Sequence, residues 1–276
     1  MAEKLRGLTI LGKIDLNDDG EKLKKISLEK YLPELKIGLT TLATRLSSEY
    51  GDFFNDRGQI INDDIKTDHD CQLIIKKETA FAAAKNKNID QWRLDREKNP
   101  ANLTEICLTL LFDKILKQDF VIVRVSDFDD YIHGADMLII DKNTGAVICG
   151  IDDVLGHLGD DGGRKKKITI ESIMKSGGAE IKYGATIKDH QLIRQSLSNI
   201  PLFYFSISKI ELSDLLESLT NNQSALSTSE KDIFSKLINS LNQQAEEFAQ
   251  NKELDGSLKL NLAKLQPSLE KMLNYC

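Results

Sequence analysis

Paired cysteines, long apolar runs and an excess of positive charge are all missing from this sequence of 276 residues. The four cysteines, Cys71, Cys107, Cys149 and Cys276, show no CxxC spacing, which speaks against a redox or metal site of that type. Cys107 and Cys149 stand within apolar runs, where cysteine usually behaves as a small hydrophobic residue. We therefore expect a protein of the reducing cytoplasm.

Apolar stretches are short throughout. None approaches the roughly 20 residues that a helix needs to cross a bilayer. The N-terminal sequence MAEKLRGLTILGKIDLND also lacks an apolar run of signal-peptide length. These two observations predict neither export nor membrane insertion.

The charge balance is slightly acidic. The chain has 37 Lys and Arg residues against 43 Asp and Glu, a formal net charge of -6. This argues against a protein coated in basic surface for nucleic acid, although a local cationic cleft would hardly change the total. With 41% hydrophobic residues, the chain is long enough to bury a substantial core.

Several known sequence motifs are present only in part. The loop GHLGDDGG lacks the Lys-Ser/Thr ending of a phosphate-binding loop, and no GxSxG sequence supports a Ser-His-Asp site. Residues 15–20 start like a calcium-binding EF-hand loop, but Ile26 stands at the twelfth position, where a bidentate Glu is required. His133 and His157 are each expected to be loop residues. Asp68-His69-Asp70 has no second His or Cys at ligand spacing, so we expect an exposed polar turn.

The middle of the chain alternates helix and strand patterns. Apolar residues recur at helical spacing from Leu103 to Ile115, and Asn102 is the candidate cap. The runs 120–125, 135–140 and 146–151 are short and rich in β-branched residues, which predicts strands, the last two joined as a hairpin. Their near-continuous apolarity predicts a sheet that is covered on both faces.

Further elements follow the third strand. The sequence at 164–175 predicts a short helix that ends at a Gly-Gly pair, 179–197 predicts a hairpin, and LFYFSIS from 202 predicts a buried strand. We expect the predicted strands between 100 and 208 to form one mixed sheet. The fold class is therefore α/β, of the mixed α+β kind, with a central sheet flanked by helices.

Three segments organise the chain. Residues 1–90, with a short strand at 8–14 and a helix at 35–46, are expected to be an N-terminal extension packed on the core. Residues 91–210 form the predicted core. Residues 211–276 are expected to be helical, beginning with a capping box at 227–230 and ending in an amphipathic stretch.

Two aspartates mark the ends of the predicted hairpin strands. Asp136 precedes the apolar run MLIID, and Asp152 follows VICGI across a tight turn at 142–145. Carboxylates on neighbouring strands can share one hard divalent cation, which can activate water or polarise a phosphate. Glu105, on the preceding helix, is the candidate third acid. The sequence therefore predicts a site for Mg²⁺ or Mn²⁺.

This order of helix acid, strand, strand acid, hairpin, strand acid and helix resembles the core of the PD-(D/E)xK nuclease superfamily over residues 100–208. The resemblance implies a restriction-endonuclease-like sheet, a metal held by Asp136, Asp152 and Glu105, and a lysine two positions after the second strand acid. Val154 occupies that position. Lysine migration is tolerated in such folds, and Lys182 is the candidate, with catalytic roles for Asp136, Asp152 and Lys182.

A second reading of the signature uses Glu180-Ile181-Lys182 as the ExK motif, but the loop from Asp136 would then be very long. The segments VICGIDDV, GGAEIKYGATI and NIPLFYFSIS also resemble a small group of proteins from candidate-phylum (Patescibacteria-like) bacteria, and this resemblance implies no activity.

One dense basic run, Arg164, Lys165, Lys166 and Lys167, could contact phosphates through charge. Our first hypothesis is therefore a Mg²⁺-dependent nuclease acting on DNA or RNA. The alternative is a catalytically inactive nuclease-fold module that binds nucleic acid or protein, in which the C-terminal helices supply an interface for a partner or a second copy.

Overall fold

A computed structural model describes residues 28–156, 159–221 and 225–276. The EF-hand-like segment 15–26, the predicted strand 8–14 and His157 lie outside these ranges. A 3-10 turn at Leu28–Tyr31 leads into the first helix. The nine α-helices of the described ranges are α1 (Leu32–Tyr50), α2 (Asp68–Ala84), α3 (Ile89–Glu97), α4 (Pro100–Leu116), α5 (Asp127–His133), α6 (Asp161–Lys175), α7 (Lys209–Asn221), α8 (Thr228–Ala249) and α9 (Gly256–Leu273).

Six strands form two sheets. The strands are β1 (Phe120–Arg124), β2 (Met137–Asp141), β3 (Val147–Leu155), β4 (Ala179–Lys188), β5 (Gln191–Ile200) and β6 (Leu202–Ile207). Four of them form a mixed sheet in the order β1-β2-β3-β6, in which β3 and β6 are parallel and the other neighbours antiparallel. The hairpin β4-β5 is a separate two-stranded sheet, so the prediction of one sheet between 100 and 208 is wrong on this point.

The mixed α/β class and the hairpin of β2 and β3 are confirmed. Every residue of β1 and β2 is buried, as expected for strands covered on both faces. The turn between β2 and β3 is fixed by Asp141, whose carboxylate accepts from the backbone N–H groups of Asn143 and Thr144 at 2.8 and 2.9 Å. Gly145 has φ +70°, and a Cβ there would overlap the carbonyl oxygen of Ile187.

Helix α4 begins one turn earlier than its predicted cap. Asn99 caps it by accepting from the N–H of Ala101, and Pro100 occupies the first helical position. Most of the helix is buried, and it packs against β1, β3 and α1. This helix holds the predicted third acid, so its docking on the sheet decides where Glu105 points.

The segment between β1 and β2, in which His133 was expected to be a loop residue, is helix α5. Ser126 caps it by accepting from the N–H of Asp129, and Gly134 ends it in a left-handed conformation with φ +73°. A Ser cap and a Gly eight residues apart are local signals of this helix, but the acidic sequence between them is also typical of a loop.

Helix α8 packs on β6, an edge strand of the larger sheet. Gln244 of α8 accepts from the N–H of Tyr204 at 3.1 Å and donates to its carbonyl at 2.9 Å, so one side chain satisfies the exposed backbone edge. The predicted capping box at the start of α8 is confirmed, with Ser227 and Glu230 bonding reciprocally. Glu230 is fully buried and ion-paired with Lys114 of α4 at 2.8 Å.

A single cluster of buried apolar side chains runs from Leu35 of α1 to Met272 of α9. All three predicted segments therefore contribute to one core, and the predicted helix at 35–46 is confirmed within α1. Within the described ranges, no helix combines the length and the apolarity that a membrane crossing requires.

Candidate functional site

The ends of β2 and β3 bring two predicted acids together. Met137 is the register partner of Ile151 in the antiparallel pair, and the N–H of Asp136 donates to the carbonyl of Ile151 at 2.8 Å. Asp136 therefore lies opposite Asp152, close enough for the charge of Asp152 to raise the pKa of Asp136. The side chain of Asp136 is held in place by the N–H of Asp153, which donates to its Oδ2 at 2.6 Å.

Both carboxyl groups are driven toward the protonated form. Burial raises the pKa of Asp136 well above its ordinary range, and the charges of Asp152 and Glu105 add to this effect. Burial also raises the pKa of Asp152, while Lys166 opposes the rise. Because the two groups interact, their protons are lost in steps that belong to the pair rather than to either residue.

Lys166, predicted only as a phosphate contact, ion-pairs with Asp152 through its ammonium group. It reaches the site because it lies on the inward side of α6, together with the buried residues Gly163, Ile170 and Met174. The spacing i, i+3, i+7 and i+11 places these four positions on one helix face. This stripe is visible in the sequence and could have separated Lys166 from its basic neighbours.

The ammonium of Lys166 stays charged. Burial alone would lower the pKa of Lys166, but Asp152 and Asp136 outweigh burial and raise it above the ordinary lysine value. The side chain also keeps 37% of its surface exposed. A cation that is held at two acids and still reaches solvent can contact a bound anion.

Lys182 is not brought into this group. Its ammonium donates to Oδ1 and Oδ2 of Asp70 at 2.8 and 2.7 Å, and its backbone N–H donates to Asp129. Strand alternation correctly separates Lys182 from Ile181 and Tyr183, since those two are buried and Lys182 is half-buried. However, β4 belongs to the separate hairpin, so the side chain faces α2 rather than the ends of β2 and β3. Glu180 is exposed.

Asp70 corrects a second expectation. The segment Asp68-His69-Asp70 is the first turn of α2, in which Asp68 and His69 are exposed as expected but Asp70 is buried. Asp70 is only 1% exposed, and its carboxylate accepts from Lys182, from the hydroxyl of Tyr183 at 2.5 Å and from Thr67. This buried ion pair fastens α2 to the β4-β5 hairpin.

Glu105 lies beside the acids but bonds elsewhere. Its Oε2 accepts from the guanidinium of Arg124 on β1 at 2.8 Å, and its side chain is 19% exposed. The charge of Glu105 contributes to the raised pKa of Asp136 and of Asp153, which places it electrostatically within the group. It is therefore neither a surface residue nor bonded to the two strand acids.

Two further acids that were not predicted as site residues join them. Both carboxylate oxygens of Asp153 are buried and have no hydrogen-bond partner among the described residues, and burial raises its pKa well above the ordinary range. Burial, followed by the charge of Glu105, raises the pKa of Asp130 to about 8. Arg96 binds Asp130 at 3.0 Å.

The rest of the basic run points away from the acids. Arg164 pairs with Asp161 one turn earlier, Lys165 is exposed, and Lys167 lies 3.9 Å from Glu171. His133, the last residue of α5, lies 3.9 Å from Asp129 rather than in a loop.

The two strand acids could hold a metal ion only with few protein ligands. The described part of the chain has no group of three or more His, Cys, Asp or Glu side chains arranged to hold one. Mg²⁺, however, is commonly bound through one or two carboxylates and keeps several waters. Asp136 and Asp152 supply two such groups, their raised pKa values mark where positive charge is lacking, and the unpaired oxygens of Asp153 show the same deficit.

A scan of the chain against protein-family models gives no match, and searches of curated proteins and of solved structures find no similar protein. The resemblance to the PD-(D/E)xK superfamily therefore stays a prediction.

Proposed function

We propose that this protein is a divalent-metal-dependent nuclease that hydrolyses phosphodiester bonds in DNA or RNA. The observation that carries the proposal is the ion pair between Lys166 and Asp152, directly beside Asp136. Two acids and one lysine that converge at the ends of neighbouring strands supply the chemistry that the resemblance implies. Lys166 takes the role that the sequence assigned to Lys182.

The order of elements supports a restriction-endonuclease-like core. Helix α4 is followed by the antiparallel strands β1, β2 and β3, then by α6 and by β6 parallel to β3. In the PD-(D/E)xK core that this chain resembles, the acids belong to the first helix and to the second and third strands. Glu105, Asp136 and Asp152 have these positions. The hairpin β4-β5 is an insertion between α6 and β6.

The lysine of the signature comes from a helix in this proposal. Val154, two residues after Asp152, is a buried apolar side chain and cannot contribute a charge. Lys166 follows on α6, the helix that leads away from β3, and reaches the same acid from outside the strand. The positive charge beside the carboxylates therefore comes from a helix, and no lysine of the strand is needed.

Each residue has a defined task. Asp136 and Asp152 would hold Mg²⁺ or Mn²⁺, which supplies Lewis-acid stabilisation of the phosphate charge when bound. Because the pKa of Lys166 is raised, its amine stays protonated at neutral pH, so it cannot serve as a general base and acts by orienting water and stabilising negative charge. Glu105 is held by Arg124 and adds negative charge behind the acids. Asp136 must lose its proton for the pair to bind a cation fully.

The experiment is cleavage of labelled single- and double-stranded DNA and RNA by purified protein with Mg²⁺ or Mn²⁺. We expect cleavage that a chelator abolishes. We expect Asp136→Asn, Asp152→Asn and Lys166→Met each to reduce the rate by roughly 100-fold or more, because each removes charge that acts on the reacting phosphate.

Lys165→Gln is the matched control for Lys166→Met, because it changes an exposed lysine of the same helix. Lys182→Met is the second control and should leave cleavage within a few-fold of wild type. Absence of cleavage on all four substrates would contradict the proposal. In that case the ion pair of Lys166 and Asp152 would be structural and the chain a nuclease-fold binding module.

A further inference from the structure

We propose that Asp153 and Glu105 bind a divalent cation at a second site, on the face of the larger sheet that α4 covers. The ion pair of Lys166 and Asp152 lies on the other face, so this site is separate from the one in the proposed function and does not depend on it. The ligands are carboxylate oxygens, which suit hard cations such as Mg²⁺, Mn²⁺ and Ca²⁺.

The register of the larger sheet places Asp153 on the side of α4. Asp153 is the register partner of Phe205 in the parallel pair of β3 and β6, so these two side chains lie on one face. The ring of Phe205 lies 5.1 Å from that of Phe112, a buried residue of α4. Successive side chains of a strand point to opposite faces, so Asp152 points away from α4 and toward Lys166 of α6. Asp153 therefore faces α4.

The same face carries Glu105 and its arginine. Arg124 is the register partner of Met137, and Met137 is the register partner of Ile151, two residues before Asp153. Residues two apart in a strand share a face, so Arg124 and Asp153 point to the same side of the sheet. Arg124 donates to Glu105 of α4 at 2.8 Å. Among the charges that raise the pKa of Asp153, that of Glu105 is the largest, as expected for neighbouring carboxylates.

Positive charge is in short supply on this face. Both carboxylate oxygens of Asp153 are buried and have no hydrogen-bond partner among the described residues. The guanidinium of Arg124 is bonded to Glu105. Lys166 also lowers the pKa of Asp153, but its ammonium is paired with Asp152 on the other face. Buried polar groups without partners are rare in folded proteins, and a bound ion is one of the few reasons for them. A cation is therefore needed at Asp153.

Two carboxylates completed by water are sufficient for such an ion. Arg124 is bonded to Oε2 of Glu105, so Oε1 is the oxygen that Glu105 offers to a cation. Asp153 offers both of its oxygens. The side chain of Glu105 is 19% exposed, which gives the ion a route from solvent. An ion at this position removes the repulsion between the two acids and ties α4 to the end of β3.

The test is Mn²⁺ binding to the full chain without nucleic acid, measured by electron paramagnetic resonance of the free ion. We expect two ions per chain in the wild type and one each in Asp153→Asn and Asp152→Asn, because the two substitutions remove ligands of different sites. Loss of a group that only orients a metal ligand costs roughly 10- to 100-fold in affinity, so loss of Asp153 itself should weaken its ion at least that much. Asp161→Asn, at an exposed acid of α6, is the control and should bind as wild type does.

Urea unfolding in chelator checks that Asp153→Asn is folded, which we expect because the change removes an uncompensated buried charge. An unchanged ion count and affinity in Asp153→Asn would overturn the inference and show that Asp153 is held as a neutral acid. A wild type that binds no ion, or one ion that Asp152→Asn abolishes, would overturn it too. One ion that only Asp153→Asn abolishes would support the inference and contradict the metal site of the proposed function. Cleavage has no part in this measurement, so absence of nuclease activity leaves the inference standing.

Discussion

Buried carboxyl groups that have no cation of their own destabilise the fold, and the ends of β2 and β3 hold several of them. Asp136, Asp152 and Asp153 lie close together where β2 begins and β3 ends, and Lys166 is the cation that pairs with Asp152. Burial raises the pKa values of all three acids, and the charge of Glu105 adds to the rise in each. Folding therefore takes up protons here, and stability is lost as pH rises.

Asp136→Asn should stabilise the metal-free protein. A carboxyl whose pKa is raised on folding contributes stability that falls as pH rises from its ordinary value, about 4, to its folded value. Asn carries no such charge, and its side-chain oxygen can still accept from the N–H of Asp153. In chelator at pH 8 we expect an increase of about 1 kcal/mol or more in the free energy of unfolding by urea.

The gain from Asp136→Asn should shrink toward pH 4, where the wild-type carboxyl is protonated in both states. A loss of stability at pH 8 would show that the Asp136 carboxylate is already compensated without a metal.

Asp70 and Lys182 form the opposite kind of pair. Burial by itself would raise the pKa of Asp70, but hydrogen bonds from Lys182, Thr67 and Tyr183 outweigh burial and hold that pKa well below its ordinary range. A depressed carboxyl pKa stabilises the fold above the unfolded value, and this contribution is lost as pH falls through the folded value.

Asp70→Asn should therefore cost about 1.5 to 3 kcal/mol of unfolding free energy at pH 7. Below pH of about 4 the difference from wild type should become smaller, as wild-type Asp70 approaches its own titration. Urea unfolding across this pH range measures the effect. A constant difference at every pH would show that packing, and not charge, accounts for the loss.

At the scale of elements, the edge of the larger sheet depends on one side chain. β6 pairs in parallel with β3, and Tyr204 is the register partner of Asp152. The buried side chain of Gln244 closes the other side of Tyr204 with two hydrogen bonds. Helix α8 thereby fixes the strand that supports Asp152.

Gln244→Met should destabilise the protein by about 1 to 3 kcal/mol, because it leaves a backbone donor and acceptor of Tyr204 buried without partners. The volume is nearly conserved, so the effect reports the lost hydrogen bonds. Thermal unfolding measures it, and Gln243→Met, at an exposed position of the same helix, is the control. Equal unfolding temperatures for the two variants would contradict the role of Gln244.

At the scale of the whole molecule, the C-terminal helices belong to the same core as the sheet. The ring of Phe112 in α4 lies 5.2 Å from that of Phe234 in α8, and the ring of Phe203 in β6 lies 6.2 Å from that of Phe248. Phe112, Phe203 and Phe234 are fully buried. Removing these helices would expose large apolar side chains on the sheet and on α4.

A chain that ends after Ser208 should consequently fail to fold cooperatively, although it retains every strand acid. We expect no sigmoidal urea transition and strong binding of a hydrophobic dye, because the apolar surface covered by α7, α8 and α9 is exposed. Full-length protein in the same buffer is the control. A cooperative transition in the shortened chain would show that the segment 211–276 is a separate unit.

Much of the fold could be predicted from the sequence, because the signals are local. Alternating and near-continuous apolar runs predicted the four strands of the larger sheet, and a capping box predicted α8. The hairpin at 142–145 placed Asp136 and Asp152 side by side, since a tight turn allows only antiparallel neighbours. Helix α5 was missed because its seven residues lie within acidic sequence that is typical of a loop.

What the tertiary structure decided is which distant side chains meet. The sequence by itself determined that Asp136 and Asp152 lie on neighbouring strands. It also showed that position 154, where the signature has lysine, is a valine. It predicted Lys182 as the lysine beside these acids, whereas Lys166 pairs with Asp152, because this contact depends on how α6 packs against β3 and on the separation of β4 from the larger sheet. Likewise, the pairing of Glu105 with Arg124 follows from the docking of α4 on β1. Short-range patterns fix elements, whereas contacts across the core depend on angles and distances that no local pattern encodes.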